Sequence, residues 1–167
     1  MRSFPTTLAL ALSLVAGTAA AQAQIQVTDP WVRATVPQQK STGAFMTITS
    51  PTDARLVEAR SSLTPSVEVH EMAMEKDVMK MRQVDSVALP AGKPVALTPG
   101  GFHMMLLDLK QQVKAGDTVP LTLVVEGADG KRQSVEVQAA VRPLNARAAP
   151  AASAGHGDHV HGAGHKH

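Results

Sequence analysis

Residues 67–109 read VEVHEMAMEKDVMKMRQVDSVALPAGKPVALTPGGFHMMLLDL. Short apolar and β-branched runs recur along this segment, and turn residues such as Pro90, Gly92 and Pro99 separate them. No part of the segment keeps the period that is typical of an amphipathic helix. The segment therefore predicts several short β-strands that are joined by tight turns.

The same pattern continues outward in both directions. Residues 25–27 alternate as a strand does, and Asp29-Pro30 predicts a turn that ends this run before Trp31. Residues 43–49 (GAFMTIT) predict a further strand. Residues 118–126 and 133–141 predict two more strands, and Asp129-Gly130 between them is a hairpin signal. Many short strands with regular turn signals are typical of a β-sandwich or a β-barrel. We therefore predict one all-β domain over residues 24–145.

The first 23 residues have the pattern of a cleavable signal peptide. Arg2 precedes an apolar run at residues 8–16 (LALALSLVA), and Ala21-Gln22-Ala23 forms an A-x-A cleavage site. The apolar run is too short to span a bilayer as a helix. We therefore expect an exported protein that begins at Gln24 and is not inserted in a membrane after cleavage.

The C-terminal residues 146–167 form a low-complexity segment that is too poor in large apolar side chains to build a core, and we expect a disordered tail. Histidine-rich tracts of this kind bind Cu(II), Zn(II) or Ni(II). The tail is therefore either an auxiliary metal site or a solubilising segment. Its five histidines are His156, His159, His161, His165 and His167.

Composition excludes several classes of function. The 16 basic and 14 acidic side chains give a formal charge of +2 and are scattered, which gives no reason to expect a nucleic-acid partner. The chain contains no cysteine. Disulfides, thiolate-bound zinc and copper centres built on cysteine sulfur are therefore excluded.

The candidate functional residues are two histidines and two methionines: His70, Met81, His103 and Met105. Outside the tail these are the only histidines of the chain. Imidazole suits copper among several metals, whereas the soft thioether of methionine selects Cu(I). The four side chains together would form a Cu(I) site. Met72 is the best substitute ligand, because a strand would place it on the same face as His70.

We expect residues 66–74 and 78–84 to form a hairpin that turns at residues 75–76. His70 would then lie directly opposite Met81 on one face of the hairpin. A slip by a single residue would send one of the two side chains to the other face.

A further strand is predicted over residues 102–109, where His103 and Met105 share one face. The alternate residues Phe102, Met104 and Leu106 would then turn toward a core. Whether this strand meets the hairpin is a question of tertiary structure, which the pattern leaves open.

The spacing His70-x10-Met81-x21-His103-x-Met105 resembles the ligand motif of the PCu(A)C family of periplasmic copper chaperones. The resemblance covers roughly residues 25–141. The segments that carry it are DPWVRAT at residues 29–35, GAFMTI at 43–48, VEVHEMAMEKDVMKMRQV at 67–84 and LTPGGFHMMLLDL at 97–109.

This resemblance implies a cupredoxin-like Greek-key β-sandwich in the periplasm that binds one Cu(I) through His70, Met81, His103 and Met105. It also implies a monomeric carrier without enzymatic activity. The acceptor would be a subunit of cytochrome c oxidase, at its copper A centre, or another copper chaperone. Some relatives carry a C-terminal extension that takes Cu(II), which the tail here resembles.

Three other functions remain open at the level of sequence. A protein that sequesters copper for tolerance would need the same four ligands. A small copper-dependent redox enzyme would favour a site with more histidines than the domain offers. A metal-free sandwich for adhesion would take up no Cu(I) once the tail is removed.

Overall fold

The computed structural model describes residues 24–146, and every regular element in that range is a β-strand. The predicted all-β class is therefore confirmed. The predicted signal peptide and the five tail histidines lie outside the described residues. Within the described range there is no helix that could cross a membrane. The strands are β1 (Gln26–Arg33), β2 (Thr42–Thr49), β3 (Ala54–Ser61), β4 (Ser66–Glu75), β5 (Val78–Gln83), β6 (Val87–Leu89), β7 (Pro94–Leu97), β8 (Phe102–Leu107), β9 (Thr118–Gly127) and β10 (Arg132–Arg142).

Hydrogen bonds link nine of these strands into one ladder in the order β5-β4-β8-β2-β1-β10-β9-β3-β6, and β7 pairs with β2. Neighbours pair antiparallel except β1 and β10, which run parallel with Trp31 beside Ala140 and Arg33 beside Arg142. Most neighbours in the ladder are not consecutive in sequence, which is the connectivity of a Greek-key arrangement. The ladder folds over itself as a β-sandwich, because buried side chains from both of its halves form one core.

Alternate side chains of both halves of the ladder fill a single core. Leu121 and Leu123 of β9 contribute to it from one half, and Met104 and Leu106 of β8 from the other; all four are fully buried. Full burial of one aliphatic side chain contributes about 1.5–3 kcal/mol to folding. The core therefore anchors β8 firmly, and the opposite alternation directs His103 to the outer face of this strand.

The β4–β5 hairpin forms as predicted, but its predicted register is wrong by two residues. His70 pairs with Gln83, and Met81 pairs with Met72 instead of His70. The turn lies at Lys76-Asp77, where φ is 48° and 64°, rather than at residues 75–76. Two central residues with positive φ form a type I′ turn, and aspartate tolerates this conformation better than glutamate. Since the shift is even, His70 and Met81 still lie on the same face.

Two further turn predictions have different outcomes. Asp29-Pro30 does not end a strand as predicted, because both residues lie inside β1 at a bulge between Thr28 and Trp31. Asp29 absorbs the distortion with a φ of 49°. The predicted hairpin at Asp129-Gly130 is confirmed, since β9 and β10 pair antiparallel across it and Gly130 has a φ of 76°.

Candidate metal centre

Two histidines lie side by side on the outer face of β4 and β8. His70 and His103 are direct partners in the antiparallel register of these strands. Their ring centroids are 5.9 Å apart, and the ring planes are inclined by 56°. Met105 follows His103 by two residues and therefore faces the same side of the sheet. The sheet thus juxtaposes two imidazoles that are far apart in sequence.

A groove on this face is lined by the methionines that are the candidate sulfur ligands. Met81 of the edge strand β5, Met72 of β4, and His103 and Met105 of β8 all line it. His70 does not line the groove but adjoins it through its contact with the His103 ring. The structure therefore brings all four predicted ligands to one face, together with Met72. Within residues 24–146, no three His, Cys, Asp or Glu side chains group together in a way that could hold a metal ion.

The imidazole of His70 is oriented by a carboxylate. Its Nε2 lies 2.7 Å from Oε2 of Glu68, and because a carboxylate only accepts, Nε2 donates the hydrogen. In the neutral imidazole Nδ1 then carries the lone pair, and this atom is buried with no hydrogen-bond partner among the described residues. A buried lone pair without a partner is costly unless another group uses it. A ligand histidine usually donates its second ring nitrogen in this way.

His103 is held in the opposite tautomer. Its Nδ1 lies 3.1 Å from the carbonyl oxygen of Gly101, to which it donates. Its Nε2 therefore carries the free lone pair. The side chain is almost completely buried, with 5% of the residue exposed. The two histidines would thus offer different ring nitrogens to one ion, Nδ1 from His70 and Nε2 from His103.

Aromatic side chains form the wall of the site beyond β8. The Phe45 ring lies 6.4 Å from the His103 ring and 4.4 Å from that of Trp31, measured between centroids. Phe45 also fits directly over Gly43, where a Cβ atom would lie only 2.6 Å from its ring. The guanidinium of Arg33 lies 5.5 Å from the Phe45 centroid and lines the groove. A glycine at position 43 therefore allows the aromatic wall to approach the histidines.

The charged side chains of the hairpin lie on its other face. Glu71 accepts a hydrogen bond of 2.8 Å from Arg82, and this bond raises the pKa of Arg82. Glu75 and Lys80 form a second ion pair at 2.9 Å. Since these pairs point away from the groove, Glu68 is the acidic residue beside the histidines.

Sequence reasoning missed Glu68 and the aromatic wall. Glu68 could have been found, since a residue two positions before His70 on a strand must share its face. The contribution of Phe45 depends on the pairing of β2 with β8, where Gly43 lies opposite Met105. No local pattern reports that pairing.

The chain is thus a cupredoxin-like β-sandwich whose outer face brings histidine and methionine side chains together. The family model described as "Putative lipoprotein LpqE-like" matches residues 25–141, and the chain belongs to this family. A relative in Leifsonia xyli subsp. xyli, "Putative lipoprotein Lxx21020", is 32% identical over 114 residues, which cover 68% of each chain.

Solved structures of PCuAC domains resemble this chain. The copper-bound PCuAC domain from PmoF2 is 26% identical with a TM-score of 0.58, over 71% of this chain and 92% of that domain. The Cu(I) form of DR1885 from Deinococcus radiodurans is 31% identical with a TM-score of 0.51, over 79% of this chain and 87% of that one. The structural neighbours therefore support the predicted relation to PCuAC domains.

Proposed function

We propose that this protein is an exported copper chaperone of the PCu(A)C type, which carries one Cu(I) on the outer face of β4, β5 and β8. The ligands are the side chains of His70, Met81, His103 and Met105. The likeness to a copper-bound and a Cu(I)-bound PCuAC domain supports copper as the ion. The relation to a lipoprotein family supports an extracytoplasmic location.

The observation that carries this proposal is the orphaned Nδ1 of His70. It is buried without a partner in the described part of the chain, and it belongs to a ring that faces His103. Glu68 and Gly101 hold the two rings in tautomers that leave one lone pair on each. A soft ion that accepts both lone pairs removes the cost of the unpaired nitrogen.

The thioethers of Met81 and Met105 add selectivity for Cu(I), since soft ligands favour the soft ion. Met81 is 51% exposed on an edge strand, so its bond to copper can be exchanged for a ligand of an incoming acceptor. His103 is nearly buried and stays in place. This division suits a protein that both holds and releases its ion.

The ion is cargo in this proposal, and the protein performs no chemistry on it. The acceptor is the copper A subunit of cytochrome c oxidase or another copper chaperone. The tail histidines His156, His159, His161, His165 and His167 serve as an auxiliary Cu(II) site.

The decisive experiment titrates Cu(I) against a competing chelator into two forms of the chain from Gln24. One form is native, and in the other the five tail histidines are replaced by alanine. Both should bind one tightly held Cu(I), and copper X-ray absorption should show mixed nitrogen and sulfur ligands. His103→Ala should weaken this tight binding by about 100-fold.

Met104→Leu provides the matched control, because Met104 neighbours His103 but points into the core. Its Cu(I) affinity should equal that of the unsubstituted chain. Tight binding that survives both His103→Ala and Met81→Leu would show that copper binds elsewhere.

A further inference from the structure

Four methionines form two rungs across the β4–β5 hairpin, and we name them the methionine ladder. Met72 pairs with Met81, and Met74 pairs with Met79. Since partners on alternate positions share a face, all four side chains lie on the face of His70. The rungs continue from the histidine pair toward the tip of the hairpin.

Hairpin geometry pairs the two methionines of each rung at positions where side chains approach each other closely. Glu75 and Val78 close the type I′ turn as a hydrogen-bonded pair. Pairs alternate along an antiparallel ladder, so both methionine rungs occupy non-hydrogen-bonded positions. Side chains approach each other most closely at such positions, where Cα atoms are about 4.5 Å apart.

Three of the four methionines of the ladder are exposed, and Met72 is partly buried. Met74 is 63% exposed, Met79 48% and Met81 51%. The pairing of β4 with β8 ends at Glu71, so the outer rung projects beyond the sheet. Met74, Met79 and Met81 therefore contribute little to the core.

The two faces of the β4–β5 hairpin carry different kinds of side chain. The ion pairs of Glu71 with Arg82 and of Glu75 with Lys80 lie on the opposite face. The ladder face carries thioethers from the groove to the tip. The inner rung, Met72 and Met81, itself lines the groove beside His103. The exposed rung is thus continuous with the candidate metal centre.

We propose that the methionine ladder is a second, weaker Cu(I) site made of thioethers alone, through which copper enters and leaves the histidine pair. This inference rests on the proposed function. Thioether sulfur is a soft neutral donor, and an exposed set of such donors binds Cu(I) without requiring the loss of a proton.

Transfer along the ladder is an exchange of ligands without any redox change. A Cu(I) ion held by Met74 and Met79 first gains Met72 or Met81 and then loses the outer rung. His70 and His103 next replace one thioether, while Met81 stays bound. Copper remains Cu(I) throughout, and every ligand that leaves is neutral.

The test uses the chain with its five tail histidines replaced by alanine and with ¹³C-labelled methionine methyl groups. It is titrated with Ag(I), a soft ion that does not change oxidation state under these conditions. The first equivalent should shift the methyl signals of Met81 and Met105. The second should shift those of Met74 and Met79.

The double variant Met74→Leu/Met79→Leu removes both outer sulfurs and keeps apolar side chains of similar size. It should lose the second equivalent and keep the first. Transfer of Cu(I) from the loaded protein to a soluble chelator should slow by about threefold or more, because the outer thioethers no longer accept the ion as it leaves the histidine pair. Met46→Leu, a core substitution, should change neither property.

The outcomes separate the two proposals. If the first equivalent leaves Met81 and Met105 unshifted, the proposed main site is wrong. If the first equivalent shifts them but excess Ag(I) leaves Met74 and Met79 unmoved, only the ladder is overturned. If the double variant still binds a second equivalent of Ag(I) as the unsubstituted chain does, the proposed ladder site is also wrong.

Discussion

Strands β8 and β5 each supply one methionine to the candidate metal centre. The two strands differ in how deeply their side chains are buried. On β8, Met104 and Leu106 are fully buried and lock the strand into the core, and His103 is 5% exposed. On β5 every residue is exposed, and this strand forms one edge of the β-sheet. Met81 is 51% exposed.

The contrast teaches that one half of the site is fixed and the other half can yield. His103 is held by its strand, by Gly101 and by the nearby ring of Phe45. Met81 is held mainly by hairpin pairing. A carrier needs a fixed half to recognise its ion and a compliant half to let it go.

The largest expected difference between the strands is in stability. Leu106→Ala on β8 should lower the free energy of unfolding by about 2–5 kcal/mol, since it opens a cavity in the core. Val78→Ala on β5 should change it by no more than about 0.5 kcal/mol, because the side chain is exposed. Urea denaturation of both variants measures the difference. Equal losses would show that β5 is anchored as firmly as β8.

The next difference is in Cu(I) affinity. His103→Ala should weaken binding by about 100-fold, because it removes a fixed ligand, whereas Met81→Leu should weaken it by about tenfold. Chelator competition gives both values. A greater loss in Met81→Leu would reverse the assignment of the fixed and compliant halves.

An effect no larger than that of Met81→Leu should come from the carboxylate that orients His70. Glu68→Ala should lower Cu(I) affinity by about tenfold, since it removes the acceptor that fixes the tautomer. Glu71→Ala is its matched control, because it removes a carboxylate of the same strand from the opposite face. Its affinity should stay unchanged, and ¹⁵N spectra of His70 should show a tautomer change in Glu68→Ala alone.

The smallest effect lies away from both strands. Hydrogen bonds from Arg55 and Arg132 lower the pKa of Glu126 from its ordinary value of 4.5. The stabilisation from this carboxylate is complete above pH 4.5 and is lost as the pH falls through the lowered pKa. Glu126→Gln should therefore flatten the acid limb of the stability curve measured by thermal unfolding. Cu(I) affinity at neutral pH should be unaffected.

Much of the fold and the face of each candidate ligand could be predicted, because strand alternation depends only on local sequence. The alternation of residues 102–109 predicts that His103 and Met105 face away from Met104, as they do on β8. The hairpin register was less predictable. It depends on which two residues adopt positive φ, and Lys76-Asp77 does so at a turn without glycine.

Pairing between distant strands could not be predicted. The direct opposition of His70 and His103 requires β4, which pairs with β5 along one edge, to pair with the distant strand β8 along its other edge. Such pairing depends on how all the strands bury their common core. The sequence of a single segment does not contain this information. For the same reason Phe45 was assigned to a strand but not to the wall of the site.

The parallel pairing of β1 with β10 also determines where attached groups would sit. Arg142, at the end of β10, lies beside Arg33, which lines the groove. Gln26 lies at the opposite end of β1 from Arg33, about 20 Å away at the usual rise per residue. A fluorophore attached at position 142 would therefore lie closer to the groove than one attached at position 26.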